Sequence, residues 1–162
     1  MGQARRWCGA LAGAAVLAVV GAACAPAGPP PPAGQSCAMD ATSGAILADV
    51  NRSRAQAGLP GLAANGQLTC LAQGWSGYLA ATGGFFHRDL ASVLQSPGYG
   101  AYRTLGENIL RGPATMSADA MHSAWMNSPD HRANILSPAF SSVGVGLASA
   151  NGQVWATEDF GG

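Results

Sequence analysis

The sequence predicts an α+β domain in which helices pack on a sheet, and two observations carry the prediction. Apolar residues recur at helical spacing in residues 42–57, 66–82 and 117–127, whereas from residue 142 onward the period shortens to that of strands. Two such strand segments flank Ala150-Asn151-Gly152, and Asn-Gly is a strong short-range hairpin signal. Helices followed by an antiparallel hairpin bury their apolar faces most simply by layering helices on a sheet.

Each element has a local cause. Residues 42–57 read as a helix with Thr42 or Ser43 as N-cap, Ile46, Leu47 and Val50 on one face, and Gly58-Leu59-Pro60 as the stop. Residues 66–82 carry the stripe Leu68, Leu71, Trp75, Leu79 and close at Gly83-Gly84. A short helix over residues 89–95 ends at Ser96-Pro97-Gly98, and residues 105–110 read as extended. Ser117 caps the helix of residues 117–127, which turns Ala118, Met121 and Trp125 to one face and breaks at Ser128-Pro129. Asn127, Ser128 and Asn134 read as caps around that break. Strands follow at residues 142–149 and 153–160. Trp75 and Trp125 fall at core spacing; Trp155 alternates with Val154 on the hairpin and reads as half-buried at most.

Composition bounds the class. The chain has 162 residues, 48% hydrophobic and 10% charged, with eight Arg, no Lys and eight Asp or Glu. That length fits one domain, and the apolar share is enough for a core rather than disorder. No basic patch is available to neutralise phosphates, which argues against a nucleic-acid partner. Arg5 and Arg6 precede an uncharged Ala/Val/Leu run reaching Ala23, shorter than the roughly 20 apolar residues a spanning helix needs. Residues 1–23 therefore read as a secretory signal, placing the protein outside the cytoplasm.

Two processing sites are open: a small-residue site near Ala23 to Ala27, or lipid attachment at Cys24. The run Val20-Gly21-Ala22-Ala23-Cys24 resembles a bacterial lipobox, with Gly21 where a Leu-type residue is usual. On the second reading the protein meets the membrane only through a Cys24 lipid anchor. Without Arg5 and Arg6, six Arg stand against eight acids, a mildly acidic exported chain. Residues 24–36 hold five of the ten prolines and read as an extended tether, leaving residues 37–162 as the folded domain.

Cysteine arithmetic agrees. Cys8 leaves with the signal, and if Cys24 carries lipid, Cys37 and Cys70 remain as an even pair in an oxidising compartment. They are expected to form a disulfide, with two buried free thiols as the alternative. Cys70 lies one step off the apolar stripe of its helix, at the edge of the buried face, from where it can reach the N-terminal segment.

Polar residues are few enough to inspect singly. Beyond the leader there are two Glu, Glu107 and Glu158, and three His, His87, His122 and His131. His-Glu-x-x-His, Gly-x-Ser-x-Gly and Ser-x-x-Lys motifs are all absent, and a disulfide removes Cys-His chemistry. A set remains in three segments: His87 after Phe85-Phe86, Glu107 in Gly106-Glu107-Asn108-Ile109, and His131 in Asp130-His131-Arg132-Ala133-Asn134. His122 sits mid-helix beside Met121 and Trp125 and reads as a surface or core-edge histidine. Glu158 lies on a terminal strand, where solvent exposure is expected and approach to a cleft is the alternative.

These segments carry a resemblance. Phe86-His87-Arg88-Asp89-Leu90, Gly106-Glu107-Asn108-Ile109, the run from Ala124 to Leu136, Val143-Gly144-Val145-Gly146 and Asp159-Phe160-Gly161 occur in the order found in bacterial CAP domains. This is the SCP-like extracellular family, related to cysteine-rich secretory proteins, antigen 5 and pathogenesis-related 1 proteins. The resemblance implies an α-β-α sandwich with a central antiparallel sheet between helical layers. It also implies a cleft where two His and two acids converge and can hold a divalent metal such as zinc. His87, Glu107 and His131 match that pattern. The fourth group does not: Ser128 stands where eukaryotic relatives have a Glu, and Glu158 stands where bacterial relatives look Gln-like.

Two imidazoles and a carboxylate make an open zinc set. They can equally form a metal-free cluster in which Glu107 raises an imidazole pKa, or Glu107 can be structural, tying loops through backbone N–H groups with Asn108 beside it. The segment from Arg132 to Leu136 reads as a clamp on His131. Three functions follow in order: a binding module for a lipid-like or cell-wall ligand, a structural protein displayed at the envelope, and a metal-assisted hydrolase using His87, Glu107 and His131.

Overall fold

The computed structural model describes residues 30–32 and 34–162. The expected leader, Cys24 and residues 24–29 of the proline-rich segment lie outside the described residues. Among the described residues no helix is long and apolar enough to cross a membrane.

The first helix, α1 (Ala41–Gln56), is capped by Asp40, whose carboxylate accepts from the Ser43 N–H at 2.7 Å. Thr42 and Ser43, the expected caps, lie inside the first turn, and Ser43 is buried. In α2 (Gly66–Thr82), Asn65 accepts from the Gln67 and Leu68 N–H groups, and Gly83 ends the helix at φ 68°. That left-handed conformation costs glycine nothing sterically. Asp89 caps α3 (Leu90–Leu94), and Ser117 caps α4 (Ala118–Met126).

The break at Ser128-Pro129 is also a beginning. Pro129 opens α5 (Pro129–Ile135), where its missing N–H is one of the donors a helix start leaves unpaired anyway. Ser128 occupies the N-cap position without a side-chain hydrogen bond, and Asn127 closes α4 through its backbone N–H. Asn134 is not a cap: from within α5 its side chain donates to the Glu107 carbonyl and to Asn108 Oδ1.

Four strands, β1 (Ala63–Ala64), β2 (Leu105–Pro113), β3 (Ser142–Ala150) and β4 (Gln153–Gly161), form a sheet in the order β1-β3-β4-β2. β4 runs antiparallel to β3 and β2, and β1 adds a short parallel rung to β3. Asn151 and Gly152 both have positive φ, 50° and 72°, as the hairpin's tight turn requires.

Helices cover both faces, giving the expected α-β-α sandwich. On one side Ile46, Val50, Met121, Trp125 and Ile135 pack on Val145 and Phe160; on the other Trp75 and Leu79 meet Ile109 and Trp155. Central β4 is therefore buried on both faces from Val154 to Gly161. This corrects two expectations: Trp155 is 3% exposed and Glu158 fully buried. Alternation had implied one wet face, and the fold has none there.

Glycines at 74 and 77 each cost α2 about 1 kcal/mol of helix propensity. Burial of Leu68, Leu71, Trp75 and Leu79, at about 2 kcal/mol each, outweighs them. The helix rests directly on β3: a Cβ at Gly144 would collide with the Leu68 and Thr69 backbone, and one at Gly146 with that of Ala72 and Gln73. The Val-Gly-Val-Gly segment thus exists for close approach of helix to sheet. The disulfide expectation holds, Cys37 joining Cys70 across a sequence separation of 33.

Candidate functional site

His87, Glu107 and His131 come together from three elements. His87 lies between α2 and α3, Glu107 near the start of β2, and His131 in the first turn of α5. β2 is an edge strand, and its successive side chains point to opposite faces. Glu107 therefore serves the α2–α3 layer and Asn108 the layer of α1, α4 and α5. Each gathers one histidine: His87 Nδ1 is 2.8 Å from Glu107 Oε1, and Asn108 Nδ2 donates to the His131 carbonyl at 3.1 Å. The two rings lie with centroids 6.4 Å apart and planes tilted by 56°.

Arg88, to which the sequence reading gave no role, organises the site. Its backbone N–H and Nε donate to the two Glu107 oxygens at 3.2 and 2.5 Å. Its guanidinium also donates to Asp159 Oδ2 at 2.9 Å and to the Leu71 carbonyl, and lies 5.0 Å from the centroid of the Trp75 ring. Glu107 is buried while the His87 side chain is 55% exposed. With Arg88 donating to both carboxylate oxygens, Glu107 acts as an acceptor, so His87 donates to it from Nδ1 and leaves Nε2 free of that bond.

Behind His131 lies a buried polar clamp. Asn108 Nδ2 also donates to Glu158 Oε2 at 2.9 Å, and Asn134 donates to Asn108 Oδ1. Burial pushes the Glu158 carboxyl up to about 8, only partly opposed by the Asn108 hydrogen bond. Asp159 is likewise raised, by burial first and by the Glu107 charge, against the pull of Arg88. Burial lowers the His131 pKa, the neighbouring His87 lowers it further, and Asp130 acts the other way. His131 is thereby disposed towards its neutral form.

The clamp expected in the segment from Arg132 to Leu136 is made by Asn134, working through Asn108. His122 is a core-edge residue away from the cleft, its Nε2 2.8 Å from Ser53 Oγ. The signal for Arg88 was its place directly after His87; nothing local marked Asp159 as its partner, because that pairing depends on β2–β4 register.

Two imidazoles at this separation fit a metal as partial ligands, with solvent completing the shell. Glu107 fits behind His87, a carboxylate orienting a metal-binding histidine, since both its oxygens are engaged. Among the described residues no group of three or more His, Cys, Asp or Glu side chains is arranged to hold a metal ion.

Comparison with known proteins agrees with this architecture. The profile of the cysteine-rich secretory protein family, CAP, matches residues 47–160. The uncharacterized protein YkwD of Bacillus subtilis (strain 168) is 40% identical over 78 residues, 41% of this chain and 29% of YkwD. A crystal structure of an extracellular protein containing a SCP domain from Bacillus anthracis str. Ames superposes with TM-score 0.64 at 28% identity, over 74% of this chain and 39% of that one. An outer surface protein of Borrelia burgdorferi shares the fold with TM-score 0.66 at 15% identity, over 78% of this chain and 98% of its own. The chain thus spans well under half the length of the two Bacillus relatives. With the family profile covering most of its length and the sandwich in place, the chain belongs to the CAP, or cysteine-rich secretory protein, family.

Proposed function

We propose that the protein is an exported, non-catalytic binding module that takes a lipid-like or cell-envelope ligand, with the cleft of His87 and His131 as its polar recognition point. The observation that carries this reading is the engagement of Glu107. Its two oxygens accept from His87 and Arg88 inside the fold, so the carboxylate that a hydrolase would use as general base is already committed. Among the described residues, the two cysteines, Cys37 and Cys70, are bonded to each other and supply no thiolate. What the cleft offers outward is the pair of imidazoles, and the exposed Phe85 and Phe86 directly precede His87 in the chain. Export agrees with the basic and apolar leader and with relatives described as extracellular or outer-surface proteins.

Native mass spectrometry of protein purified from its own envelope should detect co-purifying ligand mass that a His87→Ala/His131→Ala variant loses. Bare protein in repeated preparations would overturn the reading. Release of a Cys24→Ser variant into the medium tests the lipid anchor.

The carboxylate-backed geometry of His87 favours one second reading, a cleft that holds zinc. His87 and His131 would be the ligands, and the ion would polarise a bound carbonyl or phosphoryl oxygen. Zinc should then raise the melting temperature of chelator-stripped protein and leave the double variant unmoved; an unchanged parent curve excludes it.

A further inference from the structure

No short nucleophile motif stands in the sequence, yet the fold builds a serine–histidine pair outside the cleft. Ser53 of α1 and His122 of α4 are 69 residues apart in the chain, and Ser53 Oγ lies 2.8 Å from His122 Nε2. At that reach an imidazole can take the proton of a hydroxyl that attacks an electrophile.

Three features bear on its chemistry. His122 is buried, and burial first, then the Arg52 charge, lowers its pKa below the ordinary 6.5 against the opposing pull of Asp49 and Asp119. The imidazole is therefore in its basic form at neutral pH. Its Nδ1 is buried without a hydrogen-bond partner, so the ring's polar engagement runs through Nε2 to Ser53. In the tautomer protonated at Nδ1, Nε2 accepts from the Ser53 hydroxyl, which is the arrangement of a base and its nucleophile. Charge around the seam is acidic on balance. Asp49, one turn before Ser53 on α1, and Asp119, one turn before His122 on α4, outnumber Arg52, whose guanidinium already donates to Asp49 at 2.6 Å. Such a field steadies an imidazolium as it forms and repels an anionic reagent. Ser53 itself is partly exposed at the edge of the seam.

We propose that Ser53 is a covalent modification site, acylated by uncharged donors with a good leaving group, of the aryl ester or thioester class, with His122 as its general base. Ser53 Oγ bonds to the donor's carbonyl carbon while its proton passes to His122 Nε2. The bond from that carbon to the leaving oxygen or sulfur then breaks, and the imidazolium returns the proton to the departing alcohol or thiol. No electrons change hands beyond these bonds, and neither His87 nor His131 takes part, so the inference stands apart from the cleft's function.

The test treats the purified processed chain with 4-nitrophenyl acetate and maps acetyl groups by mass spectrometry after chymotryptic digestion. The chain has no Lys, so side-chain amines do not compete. Ser53 should be acetylated, and Ser123, exposed on α4 beside His122, should not. His122→Gln should slow the reaction about a hundredfold, its melting temperature serving as the folding control. Should that variant fail to fold, the parent's own pH profile decides. The rate should rise through one ionisation below pH 6.5 and level off above it, as a neutral His122 requires. The anionic 4-nitrophenyl succinate should react more slowly than the acetate. The His87→Ala/His131→Ala variant should be acetylated at Ser53 as the parent is. An unmodified Ser53, labelling no faster than at Ser123, or a rate that climbs in proportion to hydroxide through neutrality overturns the proposal. So does loss of labelling in the cleft variant, and an equal rate with succinate overturns the assignment of an uncharged donor.

Discussion

Arg54 shows how much one buried polar residue can hold. Its side chain, 1% exposed, donates to the carbonyls of Pro60, Ile135, Ser137 and Phe140, joining the end of α1 to the end of α5 and the approach to β3. Arg54→Met keeps the length and apolar stem but abandons four acceptors, and should cost about 3 kcal/mol in urea unfolding. Lysine should recover under half of that, because a single ammonium cannot serve carbonyls spread around a planar fork. Glu158 acts in the opposite sense, as an acid that burial keeps protonated up to about pH 8. Between its ordinary pKa of 4.5 and that value, the native state holds a proton the unfolded chain releases, so stability falls as pH rises through the window and levels off above it. Each pKa unit is worth about 1.4 kcal/mol, which makes the loss on the order of a few kcal/mol. Glu158→Gln keeps an acceptor for Asn108 and removes the titration. Its melting temperature should therefore fall less than the parent's between pH 5 and pH 8; parallel curves would show that another group, with Asp159 first in line, carries the dependence.

Among the elements, the contact of α2 with β3 is the least forgiving. Gly144→Ala or Gly146→Ala sets a methyl against helix backbone that cannot swing aside, and each should destabilise by about 3 kcal/mol, read from the urea midpoint at unchanged m-value. How far such features could be read from the sequence depended on whether their cause was local. Helix α2 was legible because its apolar stripe and Gly83 lie within its own residues, and the hairpin because Asn151-Gly152 supplies both positive-φ positions. The short helix α5 was not, since Pro129 marks a helix break and a helix start equally well. Burial of Trp155 and Glu158 was hidden for a different reason. Alternation along β4 says which residues share a face, but only the order β3-β4-β2 and two helical layers say that both faces are dry. His87, Glu107 and His131 could be picked out because so few polar residues compete with them. Arg88 and Asn108, which bind the histidines to the sheet, owe their roles to a register no local pattern encodes.

Across the whole molecule the two helical layers meet the sheet edge at one point, where Glu107 and Asn108 gather a histidine from each side. Arg88 extends that point into the wall of a cavity of about 720 Å³ between α2 and α3. The N-terminal segment closes the far wall, and what fixes it there is covalent. Cys37 is bonded to Cys70 of α2, enclosing α1 and β1 in a loop with a sequence separation of 33. In the chain-entropy model a loop of this length contributes about 3 kcal/mol. For a domain of this size that corresponds to a melting shift of about 10 °C. A Cys37→Ser/Cys70→Ser variant and parent protein treated with reductant should melt at the same lowered temperature, and reductant should not lower the variant further. Hydrogen exchange should rise at Cys37, whose N–H donates to the Gly66 carbonyl, while the core of Ile46, Trp125 and Phe160 keeps its protection. A variant melting with the parent would mean that noncovalent packing alone holds the segment against α2. Global loss of protection would mean instead that the bond is required for the sandwich itself and not only for its outer wall.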